Sequence, residues 1–224
     1  TNIETGKPQD WILKKELTLK DIKKIISLDD LATLEKVNFC GNYGDPLIAT
    51  DIISICDYIL NNSKKATIEV HTNGSMHSED WWWELCTKLH TYNKRLTFTF
   101  GIDGVDQEQH SRYRVGTNFD KIINNATVCI DAGFEVIWDY LVFKHNENSI
   151  DVAREISEKL HFNKINIIST ERFWNGVSLE YTYKDKKYTL ERSTIEPNKK
   201  QLINMKTYTD KKKINCFAKA RQEA

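Results

Sequence analysis

The sequence lacks both an excess of one charge and a long apolar run. Lys and Arg together number 32, and Asp and Glu together also number 32, so the formal net charge is zero. General nucleic-acid binding is not expected, because a polyanion binder would have a basic excess. No apolar run is long enough to span a bilayer, and the first ten residues are largely polar. We therefore predict no membrane partner, no signal peptide and a cytoplasmic location.

The sequence also lacks the common motifs of metal and catalytic sites. Its five cysteines are scattered, and none forms a CxxC pair. An odd, scattered set is typical of a reducing compartment. The six histidines show no metal-ligand spacing, and no GxSxG, P-loop, GxGxxG or HExxH motif occurs. These patterns assign no catalytic residue and no metal ligand.

What the chain does contain is a regular alternation of helical and strand patterns. Five short apolar segments predict strands, at residues 37–40, 67–71, 96–100, 135–143 and 164–169. Amphipathic segments between them predict helices, in units of about thirty residues. This order predicts a parallel sheet with helices outside. Five strands are too few for a closed eight-stranded barrel, so the sheet is either open or a partial barrel that lacks its first strand.

The pattern changes after Thr170. Residues 181–190 are typical of a two-stranded hairpin around residues 184–186. Residues 197–213 are charged and poor in apolar side chains, which is typical of a linker or peripheral arm. We therefore predict a core over residues 1–170 and a C-terminal extension over residues 171–224.

Glycine and short polar side chains follow three successive strands, in residues 40–46, 72–74 and 101–104. The carboxyl ends of parallel strands meet at one edge of a sheet, where α/β proteins bind ligands. Glycine allows a close approach to the backbone amides and carbonyls. One such loop is usually an ordinary turn, but three in succession favour a ligand site.

Two charged residues near this edge are candidates for binding. Arg114 follows the third loop and could clamp a carboxylate or phosphate, whereas Arg112 is expected at the surface. Asp139 lies within an apolar strand, and a buried carboxylate needs partners. Strand alternation places it on the same face as Ile137 and Leu141, which is either a barrel interior or a polar pocket.

In order and spacing, these segments resemble the radical S-adenosylmethionine (SAM) superfamily, most closely the branch with a SPASM or twitch extension. Residues 40–46, Cys-Gly-Asn-Tyr-Gly-Asp-Pro, are similar to that family's Gly-Gly-Glu-Pro loop. Residues 70–74 are similar to its third-strand end, and residues 102–120 to its fourth-strand segment. Residues 138–147 also fit, and the likeness covers roughly residues 17–170.

The resemblance implies a partial (β/α)6 TIM-like barrel with SAM lying across the strand ends beside a [4Fe-4S] cluster. Reductive cleavage of SAM would give a 5′-deoxyadenosyl radical that abstracts hydrogen from an unknown substrate, either a peptide or a small molecule. An electron donor such as flavodoxin or ferredoxin is then an expected partner.

Carried over by position, the resemblance also implies cofactor contacts. The residues expected to bind the SAM amino group are Gly41, Asn42, Tyr43, Gly44 and Asp45. The other expected members of the site are Arg114 at the carboxylate, Asp103 and Asn73 towards the ribose or substrate, Thr72 beside them, and Leu141 and Val142 flanking the adenine.

The sequence departs from the family in the cluster segment. The cluster-binding CxxxCxxC is absent from these 224 residues, as is the strand that should precede it. We interpret the chain as an internal or trimmed fragment whose cluster ligands lie outside it; the alternative is a degenerate member that binds no cluster. Residues 214–217 resemble the opening of a SPASM region, where Cys216 is a candidate auxiliary ligand, but one cysteine cannot hold a cluster. Gly101 stands where the family often has serine, and Asp45 replaces the usual glutamate.

Two other functions fit the same loops. A different barrel enzyme, of the aldolase or sugar-phosphate type, needs a Schiff-base lysine or a metal set at strand ends, and Lys144 is the candidate lysine. A catalytically inactive SAM-binding or interaction domain would keep the fold without turnover. The substrate cannot be predicted, because loops and extensions determine it.

Overall fold

A parallel β-sheet forms the centre of the molecule. The structure is a computed structural model, and it describes residues 16–41, 44–170, 173, 176, 178–183 and 186–195. The strands of the sheet are β1 (Lys36–Phe39), β2 (Thr67–Thr72), β3 (Leu96–Gly101), β4 (Glu135–Val142) and β5 (Lys164–Ser169). Neighbouring strands are consecutive in the chain and all pair in parallel. The predicted alternation is therefore confirmed, and the fold is α/β with a partial TIM-like barrel.

Two helices precede the first strand, and the others follow the strands in turn. The helices are α1 (Leu19–Ile25), α2 (Leu28–Thr33), α3 (Ile52–Asn62), α4 (Glu79–Leu89), α5 (Gln107–Ser111), α6 (Phe119–Asp131) and α7 (Ile150–Lys159). Local sequence signals set several of their starts. Thr18 and Asp21 form a capping box at α1, and Asn118 accepts a hydrogen bond from the backbone of Lys121 at α6. Within the described part of the chain, no helix combines the length and apolar character needed to cross a bilayer.

One face of the sheet is buried under the helices. In β4 the residues Val136, Trp138, Tyr140 and Val142 are buried, whereas the residues between them are partly exposed. On the same side, the Trp82 ring of α4 lies 5.3 Å from the Phe100 ring of β3. Because strand side chains alternate, the remaining residues of β4 point to the opposite face, away from the helices. That face contains Asp139, as predicted.

A short turn separates β1 from the helix that follows it. Pro46–Ile48 form a 3-10 turn, and α3 starts at Ile52. Asp45 caps that turn by accepting a hydrogen bond from the Leu47 backbone at 3.0 Å. This turn directly follows the glycine loop, and Pro46 at its start lines the edge at which a ligand site was predicted.

The C-terminal hairpin is present, with β6 (Ser178–Tyr183) antiparallel to β7 (Lys186–Glu191). Its tip, residues 184–185, lies outside the described residues. Leu190 packs with Phe143 and Phe173 in a small second core, and the Lys144 backbone donates a hydrogen bond to the Glu191 carbonyl at 3.0 Å. The hairpin thus contacts the segment that follows β4, while the predicted division of the chain at residue 170 stays a prediction.

Candidate functional site

A cavity of about 390 Å³ opens at the carboxyl ends of the strands. It is lined by Cys40, Gly41, Gly44, Asp45, Pro46, His71, Thr72, Asn73, Thr99, Gly101, Arg114, Asp139, Leu141 and Ile168. This volume is within the range of small-molecule sites. All three predicted loops contribute residues, so the structure brings them together at one edge of the sheet.

Gly41 and Gly44 lie close together after β1. A Cβ at Gly41 would overlap the carbonyl group of Gly44, so there is no room for a side chain at Gly41. Both glycines line the cavity, so the backbone at these two residues is accessible to a ligand. Asn42 and Tyr43 lie outside the described residues, and their contacts with an amino group stay predictions.

Asp45 fastens this loop to the end of β2. Its Oδ2 accepts hydrogen bonds from the Thr72 hydroxyl at 2.8 Å and from the Asn73 backbone at 2.6 Å. The Thr72 hydroxyl in turn accepts a hydrogen bond from the Gly74 backbone at 2.9 Å. The carboxylate therefore holds two loops of the cavity in fixed relation.

Arg114 reaches the cavity from the segment after α5. Its Nε donates a hydrogen bond to Asp103 Oδ2 at 2.6 Å, and its guanidinium covers Gly101. A Cβ at Gly101 would overlap Nη2 of the arginine, so the glycine provides the space that the guanidinium fills. Among the described residues, the Nη groups have no hydrogen bond. They are free to bind an anion in two-pronged fashion.

Asp103 does not face the cavity. Its side chain is fully buried, with Oδ2 bound to Arg114 and Oδ1 accepting a hydrogen bond from the Leu141 backbone at 2.7 Å. The sequence-based expectation of a contact with the ribose or substrate therefore needs revision: both oxygens are already used to position other groups.

Val142 likewise is buried on the helix side of β4, whereas its neighbour Leu141 lines the cavity. A side-chain contact of Val142 with the adenine would need the opposite face of the strand.

His110 fixes the segment between Asp103 and Arg114. Its Nδ1 accepts a hydrogen bond from the Asp103 backbone at 3.1 Å, and Nε2 lies 2.8 Å from the Thr117 hydroxyl. The Thr117 hydroxyl donates to the Arg114 carbonyl at 2.6 Å. Burial lowers the pKa of His110 to about 4, so the imidazole is neutral at pH 7 and can accept that backbone hydrogen bond.

The sheet face opposite the helices contributes residues that the sequence motifs did not predict. His71 and Thr99 line the cavity, although no histidine was assigned to a site. His71 Nε2 lies 3.2 Å from Glu69, whose other oxygen binds Lys36 at 2.6 Å. The hydrogen bond from His71 lowers the pKa of Glu69 to about 2, and the bond to Glu69 raises the pKa of His71. Alternation of buried residues along β2 was the available signal.

The described residues do not fit an iron-sulfur cluster. Among them, no group of three or more His, Cys, Asp or Glu side chains is placed to hold a metal ion. Cys56, Cys86 and Cys129 are buried separately from the cavity, and Cys40 is the exposed cysteine at its edge. Cys216 lies outside the described residues. Cluster ligands outside this chain stay a prediction.

Comparison with known proteins supports the fold. SuiB of Streptococcus suis bound to S-adenosylmethionine is 14% identical, with a TM-score of 0.55 over 75% of this chain and 37% of that chain. SuiB bound to the precursor peptide SuiA is 15% identical, with a TM-score of 0.56 over 76% and 36% of the two chains. The protein anSMEcpe with bound AdoMet is 14% identical, with a TM-score of 0.53 over 75% and 46%. The chain thus spans less than half the length of these structures. No curated protein sequence matches it.

Comparison with sequence models of protein families identifies the family of this chain. The sequence model of the radical SAM superfamily matches residues 5–157, more than half of the 224 residues. That range includes all three glycine-bearing loops and Arg114. The match confirms the resemblance found in the sequence: the chain belongs to the radical SAM superfamily.

Proposed function

We propose that the cavity binds SAM and that the chain is the SAM-binding core of a radical SAM enzyme. The observation that supports this most strongly is Arg114, which is held on Asp103 over Gly101 at the cavity, with no hydrogen bond from its Nη groups to the part of the chain that the structure describes. A guanidinium in this state suits a carboxylate, because two parallel N–H donors match its two oxygens. SAM has one carboxylate, and superfamily membership makes SAM the expected ligand.

The other contacts are proposed by chemical match. The carbonyl groups of the loop from Gly41 to Gly44 would accept hydrogen bonds from the SAM ammonium group, which has donors and no acceptor. Asp45 would hold that loop in place through its hydrogen bonds with Thr72 and Asn73. Leu141 and Ile168 give the cavity an apolar end, which suits the adenine ring.

SAM in this superfamily is the source of a carbon-centred radical when a reduced [4Fe-4S] cluster cleaves it. The described residues supply no set of cluster ligands, so we assign those ligands to a CxxxCxxC segment outside this chain. The electron would come from a donor such as flavodoxin or ferredoxin. What the described residues do is bind and orient SAM.

We propose a peptide as the first substrate class to test, with a small molecule as the alternative. The support is the likeness of this fold to SuiB bound to the precursor peptide SuiA. Residues 214–217, which resemble the opening of a SPASM region, support the SPASM or twitch branch. An aldolase-type reaction gains no support, because Lys144 forms an ion pair with Glu147 and is absent from the cavity lining.

The proposal can be tested with a longer protein that contains this chain and a CxxxCxxC segment. After reconstitution with iron and sulfide under argon and reduction, it should convert SAM to 5′-deoxyadenosine. The variant Arg114→Gln should bind the same amount of iron and form less 5′-deoxyadenosine at subsaturating SAM. SAM binding without cleavage by a fully loaded protein would instead indicate the inactive binding domain.

A further inference from the structure

Asp139 is a carboxylate of the cavity lining to which the proposed SAM contacts give no role. It lies in β4 directly beside Gly101 of β3, where the register pairs the two residues. Gly101 has no side chain, and the Arg114 guanidinium covers it. Asp139 therefore stands in the cavity wall next to the place where the carboxylate of SAM is proposed to bind.

The other charged groups of the cavity already have charged or multiple partners. Arg114 is paired with Asp103, and His71 is paired with Glu69. Asp45 accepts hydrogen bonds from one hydroxyl and two backbone amides. Asp139 differs from them in having a single hydrogen-bond donor among the described residues, and that donor is a neutral amide.

Asp139 itself is held by a neutral group. Asn166 on β5 donates a hydrogen bond from Nδ2 to Asp139 Oδ1 at 2.7 Å, and this is its hydrogen bond among the described residues. Burial raises the pKa of Asp139, while Asn166 and the charge of His71 oppose the rise. The charges of His71 and Arg114 both act on Asp139 through space, but among the described residues neither side chain donates a hydrogen bond to it. A ligand that places a positive charge directly against this partly buried carboxylate would stabilise its charged form.

From this charge arrangement, and given the proposed function, we infer that Asp139 is a specificity-determining residue that selects the positively charged sulfonium of SAM over the neutral thioether of S-adenosylhomocysteine (SAH). With the carboxylate of SAM at Arg114 and the ammonium at the glycine loop, the sulfonium is the remaining charge of the ligand. SAH shares every other group with SAM and lacks only the methyl group and its charge. Selectivity between them must therefore use charge or the space of one methyl group.

The test is a pair of calorimetric titrations, with SAM and with SAH, on the 224-residue chain and three variants. Asp139→Asn keeps the shape and removes the charge; we expect SAM to bind about tenfold more weakly and SAH within about twofold of the wild type. Asp139→Glu keeps the charge and should retain the preference for SAM. Glu135→Gln is the matched control: it removes one charge from the same strand, at a residue that binds Thr97 and is absent from the cavity lining.

The outcomes separate this inference from the proposed function. A SAM-to-SAH affinity ratio that is unchanged in Asp139→Asn would overturn the inference and leave SAM binding intact, as would an equal change in Glu135→Gln. A wild-type chain that binds neither ligand would overturn both. Circular dichroism of each variant identifies a loss of binding that comes from unfolding. If Asp139→Asn is unfolded, the SAM-to-SAH affinity ratio of Asp139→Glu decides. Loss of the preference for SAM in that variant would count against the inference.

Discussion

Asp103 lies beneath Arg114, with Oδ2 at 2.6 Å from Nε of the guanidinium. The aspartate is fully buried and the arginine is partly exposed at the cavity. Arg114 lies eleven positions after Asp103, and His110 and Thr117 hold the segment between them in place. Asp103 therefore has a positioning role: it orients a cation towards a ligand that it does not itself touch.

This relationship predicts the effect of Asp103→Asn. An amide nitrogen facing Arg114 cannot accept its hydrogen bond, and breaking a buried ion pair typically costs about 3–5 kcal/mol of stability. We expect a lower Tm and SAM binding weakened by about tenfold, with little change for decarboxylated SAM, which lacks the anion that Arg114 would bind. Differential scanning fluorimetry and calorimetry measure the two effects.

The control for that variant is Glu108→Gln. Glu108 forms an ion pair with Arg112 at 3.1 Å, but both side chains are exposed, and exposed pairs are worth about 0–1 kcal/mol. It should leave Tm and SAM affinity near wild-type values. If Asp103→Asn weakened both ligands equally, the positioning role would be wrong and a general structural role would explain the data.

Gly101→Ser tests whether the Arg114 guanidinium needs the space that the missing side chain of Gly101 provides. The added Cβ would overlap Nη2 of Arg114 and displace the guanidinium. We expect SAM binding weakened about tenfold, since the displaced guanidinium loses charge-assisted hydrogen bonds to the carboxylate, and a lower Tm, since the shift also disturbs the ion pair with the buried Asp103. Gly176→Ala is the control, because among the described residues the nearest atom to a Cβ there is the Ser178 carbonyl oxygen at 3.9 Å. Unchanged SAM affinity in Gly101→Ser would contradict this account.

Thr72→Val tests the hydrogen bonds by which Thr72 joins the loop after β1 to the loop after β2. The substitution removes the hydroxyl that donates to Asp45 and leaves the Gly74 backbone amide without its acceptor. We expect SAM binding to weaken by about 3- to 10-fold, as one or two hydrogen bonds are worth about 0.5–1.5 kcal/mol each. The control is Thr67→Val at the exposed start of the same strand, where the hydroxyl donates to the Glu35 carbonyl. Equal losses of SAM affinity in the two variants would show that the hydrogen bonds of Thr72 have no specific role in SAM binding.

Glu147 should make the hairpin junction sensitive to acid. The bond from Lys144, followed by those from Ser193 and Thr194, lowers the pKa of Glu147 to about 2 from an ordinary 4.5. A carboxyl whose pKa is depressed in the folded state stabilises it above the unfolded pKa and loses that effect as pH falls from about 4.5 to 2. Glu147→Gln should therefore lower stability at pH 7 and reduce the slope of stability against pH over that range.

Denaturant unfolding at several pH values measures this effect. Glu84→Gln, at an exposed pair with Lys88, is the control and should leave the pH slope unchanged. A pH slope in Glu147→Gln equal to that of the wild type would show that this carboxylate does not stabilise the junction through its charge.

The sequence predicted the sheet and the helices because their signals are local. The apolar periods of β2 and β4, and the caps at Thr18 and Asn118, depend on residues within one turn or one strand. The loops could be assigned to one edge of the sheet because parallel strands place their carboxyl ends together. Arg114 was assigned by family resemblance, and the structure locates it at the cavity.

The rest of the site depends on contacts between distant segments. Nothing in the sequence around Asp103 shows that both oxygens are used by Arg114 and Leu141. The pairing of Asp139 with Asn166 requires the register between β4 and β5, and that register comes from packing. In the sequence Gly101 was a departure from the family's serine, whereas the structure shows that its missing side chain leaves space for an arginine.

The measurement that tests the central claim most directly is a calorimetric titration of the 224-residue chain with SAM, beside its Arg114→Gln variant. We predict saturable binding of one SAM per chain, weakened at least about tenfold by the substitution, since the lost hydrogen bonds are charge-assisted. No binding at millimolar SAM, or equal binding by the two proteins, would contradict the assignment of this cavity and of Arg114 to SAM.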